Sequence, residues 1–121
     1  MKKKIYVVSG SRAEYGLLKN LINKFKDDKD IKLKIFVTGM HLSPVFGNTY
    51  KEIIKDGFVI NKKVKILSHS DTPKAVLKST GLGIIKFASL FATNKPDLVV
   101  VLGDRYEIMS ATIAAYFNRI P

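Results

Sequence analysis

The sequence predicts an α/β domain built on a doubly wound parallel sheet, Rossmann-like in plan. The run Asp97-Leu98-Val99-Val100-Val101-Leu102 is a short, nearly unbroken Val/Leu stretch, as expected of a strand buried on both faces. It leads through Gly103-Asp104-Arg105 into an apolar stretch, Ile108 to Phe117, long enough and rich enough in Ala and Ile for a helix. Near the start, Ile5-Tyr6-Val7-Val8 is followed by the small-residue loop Ser9-Gly10-Ser11. Leu17, Leu18, Leu21, Ile22 and Phe25 then recur as one apolar face of a helix. Strand, small-residue turn and helix thus alternate, and right-handed crossovers between such units give a parallel sheet.

The elements follow in order. The first strand is expected over about Lys4 to Ser9 and the first helix over about Glu14 to Lys26, closed by the polar turn Asp27-Asp28-Lys29-Asp30. A second strand, Leu33 to Thr38, contains the β-branched Ile35 and Val37. A loop with Gly39, Pro44 and Gly47 leads to a short helix, Tyr50 to Lys55, which Asn48 or Thr49 could cap and Gly57 could end. Phe58 to Leu67 reads as a third strand; Val64 and Ile66 alternate with Lys63 and Lys65, which places it at an edge or with one exposed face. Thr72-Pro73 suits a helix start, and that helix runs to about Asn94. Lys95-Pro96-Asp97 enters the Val/Leu strand, and a helix from Arg105 to Asn118 follows. That last helix has almost no polar face, so it needs cover on most sides. Asn118-Arg119-Ile120-Pro121 resembles the lead-in to another strand, so a fragment, or a chain completed by a partner, is expected.

Composition narrows the function classes. The 121 residues, 46% hydrophobic, make one domain spanning 1–121, large enough for a core. No run is read as approaching the length of a membrane span. Met1-Lys2-Lys3-Lys4 resembles a signal-peptide start, but Ser9-Gly10-Ser11-Arg12-Ala13-Glu14 breaks the apolar run behind it at once. There is no cysteine, which excludes disulfides, thiolate metal sites and a Cys nucleophile, and fits a cytoplasmic location. The net charge of +11 comes from scattered lysines without interleaved aromatics, so neither a nucleic-acid nor a membrane partner is expected. A basic surface suits an anionic small substrate. No metal site is predicted, since His41 and His69 lack further ligands at suitable spacing.

Two turns carry candidate chemistry. Ligands of open α/β sheets bind beyond the carboxyl ends of the strands, where Gly103-Asp104-Arg105 falls. A carboxylate and a guanidinium side by side suit proton chemistry and anion binding; alternatively Asp104 caps the next helix and Arg105 is solvated. In Ser9-Gly10-Ser11-Arg12-Ala13-Glu14-Tyr15-Gly16 the small residues admit close backbone approach, and the helix start and Arg12 favour a phosphate. With only Gly10 and Gly16, the loop lacks the dinucleotide fingerprint, so NAD is not expected. Arg12 and Glu14 could equally be an exposed pair.

Four segments in order carry a resemblance. They are Ser9 to Leu18, Thr38-Gly39-Met40-His41-Leu42-Ser43, Phe46-Gly47-Asn48-Thr49-Tyr50, and Gly103-Asp104-Arg105-Tyr106-Glu107. Together they resemble the N-terminal third of the hydrolysing UDP-N-acetylglucosamine 2-epimerases of sialic acid biosynthesis. The related non-hydrolysing enzymes carry Gly-Thr-Arg-Pro-Glu in the first loop, and Ala13 stands where that Pro would be. The resemblance implies a glycosyltransferase-B-type fold of which this is the N-terminal domain, the C-terminal nucleotide-binding domain being absent. It implies a UDP-sugar substrate, no cofactor, and a homo-oligomer at full length. Asp104 matches a catalytic-region Asp, and Arg12 and Arg105 match positions facing the diphosphate. Glu14 matches an acidic position of the same loop and is a substrate-binding candidate. His41 lies in a loop facing the cleft and is a substrate-binding candidate, or simply exposed; His69 is expected at the surface. Leu102 stands where some relatives have His, so no base is assigned there. Further acidic and uridine-binding residues of the family lie beyond Pro121, so the chain alone is not expected to turn over. Two alternatives stay open: the same chemistry on a diacetamido sugar nucleotide of the legionaminic type, and a non-enzymatic α/β binding domain.

Overall fold

A computed structural model describes residues 1–66 and 70–121. Its strands are β1 (Lys3–Ser9), β2 (Ile31–Thr38), β3 (Lys62–Val64) and β4 (Leu98–Val100); its helices are α1 (Arg12–Asp27), α2 (Tyr50–Lys55), α3 (Pro73–Thr93) and α4 (Tyr106–Phe117). Short 3-10 helices, Gly39–Leu42 and Pro44–Phe46, lie between β2 and α2. The sheet order is β3-β2-β1-β4 and every pairing is parallel. The chain therefore winds outward from β1 to β3 on one side and returns to β4 on the other. The β1/β4 boundary is the topological switch point, where α/β sheets bind ligands.

Alternation along the strands sorts the core into two layers. Tyr6, Val8 and Phe36 pack with Val64, Phe87, Phe91, Ile108 and Ala111 under α3 and α4. Val7, Ile35 and Val37 pack with Tyr15, Leu18, Ile22, Ile53 and Phe58 under α1 and α2. Burial on both sides explains the unbroken apolar run of β1. The buried face of α1 is Glu14, Tyr15, Leu18 and Ile22, whereas Leu17, one step round the helix from Leu18, faces solvent.

Some element ends differ from expectation. Helix α1 starts at Arg12 because Ser11 caps it, its Oγ accepting from the Glu14 N–H. Thr72 caps α3 in the same way through the Ala75 N–H. Thr49 sits at the cap position of α2 but makes no side-chain cap, since its hydroxyl is bonded to His41. Strand β3 is shorter than Phe58 to Leu67. Phe58 folds back on α2, its N–H donating to Ile53, and the chain meets the sheet only at Asn61. There the Asn61 side-chain carbonyl accepts from the Ile35 N–H at 2.8 Å, replacing a ladder bond. The expected end of that strand, Leu67, lies outside the described residues, as does His69. Strand β4 is also short, since Val101 and Leu102 lie outside the ladder; before its start Asp97 Oδ2 accepts from the Lys4 N–H at 2.8 Å.

One helix does meet the length and hydropathy of a membrane span, against the expectation of none. Helix α3 is 21 residues long with a window of mean hydropathy 1.4. Its Phe87 and Phe91 are fully buried against Tyr6, Phe36 and α4, as in a core helix, while Leu77 and Ile85 are exposed. In α4 one face is covered and the other carries the exposed Met109, Tyr116 and Phe117.

Candidate functional site

The turns after β1, β2 and β4 meet at the carboxyl edge of the sheet, and small residues let them meet. A Cβ on Gly10 would lie 2.7 Å from the Cγ of Glu107, and one on Gly39 would lie 2.9 Å from its Oε1. A Cβ on Gly103 would lie 2.7 Å from Oε2 of Glu14. Gly39 and Gly103 also have φ of +60° and +106°, the region that favours glycine. Each turn thus gives up a side chain to admit a carboxylate from the start of α1 or α4.

Asp104 stands on this edge, exposed, with no side-chain hydrogen bond among the described residues. It does not cap α4: the cap position is Arg105, and no side-chain bond is made there. The capping alternative therefore has no geometry behind it. Arg105, beside it, donates Nε–H to Oε1 of Glu107 at 2.9 Å. Arg12 lies further out on α1, where its Nε meets both carboxylate oxygens of Glu52 at 3.0 and 2.9 Å. With side chains 71% and 47% exposed, that pair is weak and easily exchanged for a phosphate.

The other two predicted residues are not at the surface. Glu14 is buried and accepts from the Gly10 N–H at 2.8 Å, so it clamps the loop. Burial pushes its carboxyl up from the ordinary range; the Gly10 N–H opposes this and the nearby Glu107 charge adds to it. His41 does not face the cleft. It is 0% exposed, with Nε2 2.7 Å from the Ser9 hydroxyl and Nδ1 2.9 Å from the Thr49 hydroxyl. With both nitrogens engaged it braces the turns after β1 and β2 and leaves none for a ligand in this arrangement.

Burial lowers the His41 pKa to about 4, against some opposition from Glu52. Its unfolded value is about 6.5, so between those two values the unfolded chain binds the extra proton. Its contribution is therefore complete above about pH 6.5, falls as the pH drops towards 4, and amounts to at most about 3 kcal/mol. Urea unfolding from pH 7 to 4.5 should show this loss in the wild type and less of it in His41→Gln. Parallel curves for the two would contradict the assignment.

Glu107 is the residue that the sequence does not single out. Its side chain is 0% exposed, and Oε2 has no hydrogen-bond partner among the described residues. The resemblance includes it in Gly103-Asp104-Arg105-Tyr106-Glu107 and gives it no role. The available signal is a single carboxylate at the start of an otherwise apolar helix, facing strand-end glycines.

Further along the same edge, beyond β3, a cavity of about 590 Å³ is lined by Lys65, Lys74 and Lys78 with Thr72, Ser79 and Leu82. The edge is thus basic as well as acidic. Among the described residues no three His, Asp or Glu side chains are grouped to hold a metal ion.

Comparison with known proteins identifies the family and the fold. Residues 23–121 match the family described as UDP-N-acetylglucosamine 2-epimerase. The chain is 48% identical over 120 residues to the GDP/UDP-N,N'-diacetylbacillosamine 2-epimerase (hydrolyzing) of Campylobacter jejuni, covering 99% of this chain and 31% of that protein. It is 42% identical to polysialic acid biosynthesis protein P7 of Escherichia coli, covering 98% of this chain and 30% of that protein. Its fold superposes on the crystal structure of UDP-GlcNAc 2-epimerase from Neisseria meningitidis bound to UDP-GlcNAc with a TM-score of 0.82 at 21% identity, over 98% of this chain and 30% of that one. The chain spans just under a third of the length of these relatives. It belongs to the UDP-N-acetylglucosamine 2-epimerase family.

Proposed function

We propose that this chain forms the N-terminal half of the active site of a hydrolysing sugar-nucleotide 2-epimerase. The observation that carries the reading is the meeting of the Gly103-Asp104-Arg105 turn with the Ser9 to Glu14 loop at the β1/β4 switch point. There, an exposed carboxylate stands next to a guanidinium anchored from below. In the reaction the C2 proton of the sugar is removed and UDP leaves from C1, giving a glycal-like intermediate. Water then adds at C1 and a proton returns to C2 from the opposite face, so the products are UDP and the free C2-epimeric sugar. Asp104 takes part in the proton transfers, Arg105 and Arg12 hold the diphosphate, and Glu14 and His41 brace the loops that present them.

Two sugars compete as substrate. The resemblance of the four motifs to the sialic-acid-pathway enzymes favours UDP-N-acetylglucosamine, giving N-acetylmannosamine, and the similarity to the polysialic acid protein supports this. The higher identity to the diacetylbacillosamine enzyme favours a diacetamido sugar nucleotide. The test is to offer both nucleotides to the full-length protein and measure UDP release and the free sugar formed. Turnover of at least one is expected, the faster identifying the substrate, and the 121-residue chain alone should turn over neither. Turnover by the isolated chain would show that the site needs nothing beyond these residues.

A further inference from the structure

We propose that Glu107 is a positioning residue that holds Arg105 by its Nε, so that the guanidinium meets the diphosphate of the nucleotide in one orientation. The inference rests on the reading of this edge as a sugar-nucleotide site. It starts from an oddity of packing. A carboxylate wholly enclosed at the start of an apolar helix, with Oε2 unpartnered among the described residues, is a costly choice for a core position. An apolar side chain of the same volume would hold such a position at least as well. Yet two separate turns are shaped around it: Gly10 and Gly39 both leave the space that its Cγ and Oε1 occupy. Its hydrogen-bonding partner among the described residues is Arg105, at 2.9 Å, and that side chain is 41% exposed. Buried acid and half-exposed base thus make one unit, the acid inside and the base at the site.

The chemistry follows from the fork of the guanidinium. Glu107 engages Nε alone, so the carboxylate fixes one edge of the planar group. A planar donor held at one edge presents its remaining amino groups in a set direction, which suits bidentate contact with phosphate oxygens. A side chain locked by a supporting residue loses less freedom on binding than one left to find its rotamer. Glu14 contributes a second negative charge nearby, and it too acts on Arg105.

Glu107→Gln keeps the shape and removes the charge. In the full-length protein it should raise the Kd for UDP and the KM for the sugar nucleotide by about tenfold, the scale of one charge-assisted hydrogen bond. The value of kcat should stay within about threefold, since the proton transfers are not touched. In an Arg105→Ala background the same change should leave the UDP affinity where Arg105→Ala alone puts it, because the two residues act as one. Should Glu107→Gln fail to fold, the Arg105 Nε–H resonance of the wild type, assigned by its loss in Arg105→Lys, decides instead. Slow solvent exchange, retained when UDP is added, supports the anchor; exchange as fast as that of an exposed arginine overturns it. Unchanged Kd and KM in Glu107→Gln, or an equal weakening in both backgrounds, would also overturn it while the enzymatic reading stands. Absence of both turnover and UDP binding in the wild type would remove both.

Discussion

Replacing Asp104 with Asn is expected to lower the turnover of the full-length enzyme by about a hundredfold or more, the usual scale for losing a general acid or base. The substrate KM should change little. The substitution keeps size and hydrogen-bonding capacity and removes only the charge that accepts a proton. The structure sharpens the expectation, because the alternative role has lost its geometry. Asp104 lies one residue before the cap position of α4, makes no capping bond, and is exposed at the ligand edge of the sheet. A residue so placed contributes little to folding, so the melting temperature of the variant should stay near that of the wild type. Intact turnover with a lowered melting temperature would assign Asp104 to the helix and take it out of the mechanism.

Gly39→Ala is expected to cost about 3 kcal/mol of stability, the sum of a left-handed backbone forced on a residue with a Cβ and the crowding of a packed interior. The new methyl would meet Oε1 of Glu107 at 2.9 Å and its Cγ and Cδ at 3.0 Å, and that side chain is enclosed with no room to swing away. A melting temperature lower by roughly 10 °C follows for a domain of this size. Gly16→Ala is the matched control. Gly16 lies on the exposed side of α1, and a methyl added there would have nothing within 4 Å, so Ala should stabilise by up to about 1 kcal/mol. Equal behaviour of the two variants in thermal unfolding would mean that the glycine-lined floor of the site does not constrain the fold.

Asp104 and Glu107 also show what sequence can and cannot convey. The placement of Asp104 is legible because it needs only local signals: a Val/Leu run, a glycine and a helix after it. The same holds for the cap at Thr72 and for the parallel, alternating plan. The role of Glu107 is not legible, because it depends on two turns more than sixty residues away that close over it in space. The position of His41 in a loop suggests an outward-facing side chain because loops usually are exposed. It is buried because hydroxyls from Ser9 and Thr49, on two different segments, satisfy both ring nitrogens, which no local pattern announces. The start of β3 departs from expectation for a related reason: at Asn61 a side-chain oxygen accepts from the Ile35 N–H, and the ladder begins only at Lys62.

The membership of the family and the parallel fold stand on direct comparison; the proposed chemistry rests on the Asp104 edge. The most direct measurement is proton NMR of the full-length protein with the sugar nucleotide in D₂O. Hydrolytic epimerisation through loss and return of the C2 proton predicts release of UDP together with a free sugar that is inverted and deuterated at C2. A released sugar that keeps its original C2 hydrogen and configuration would contradict it.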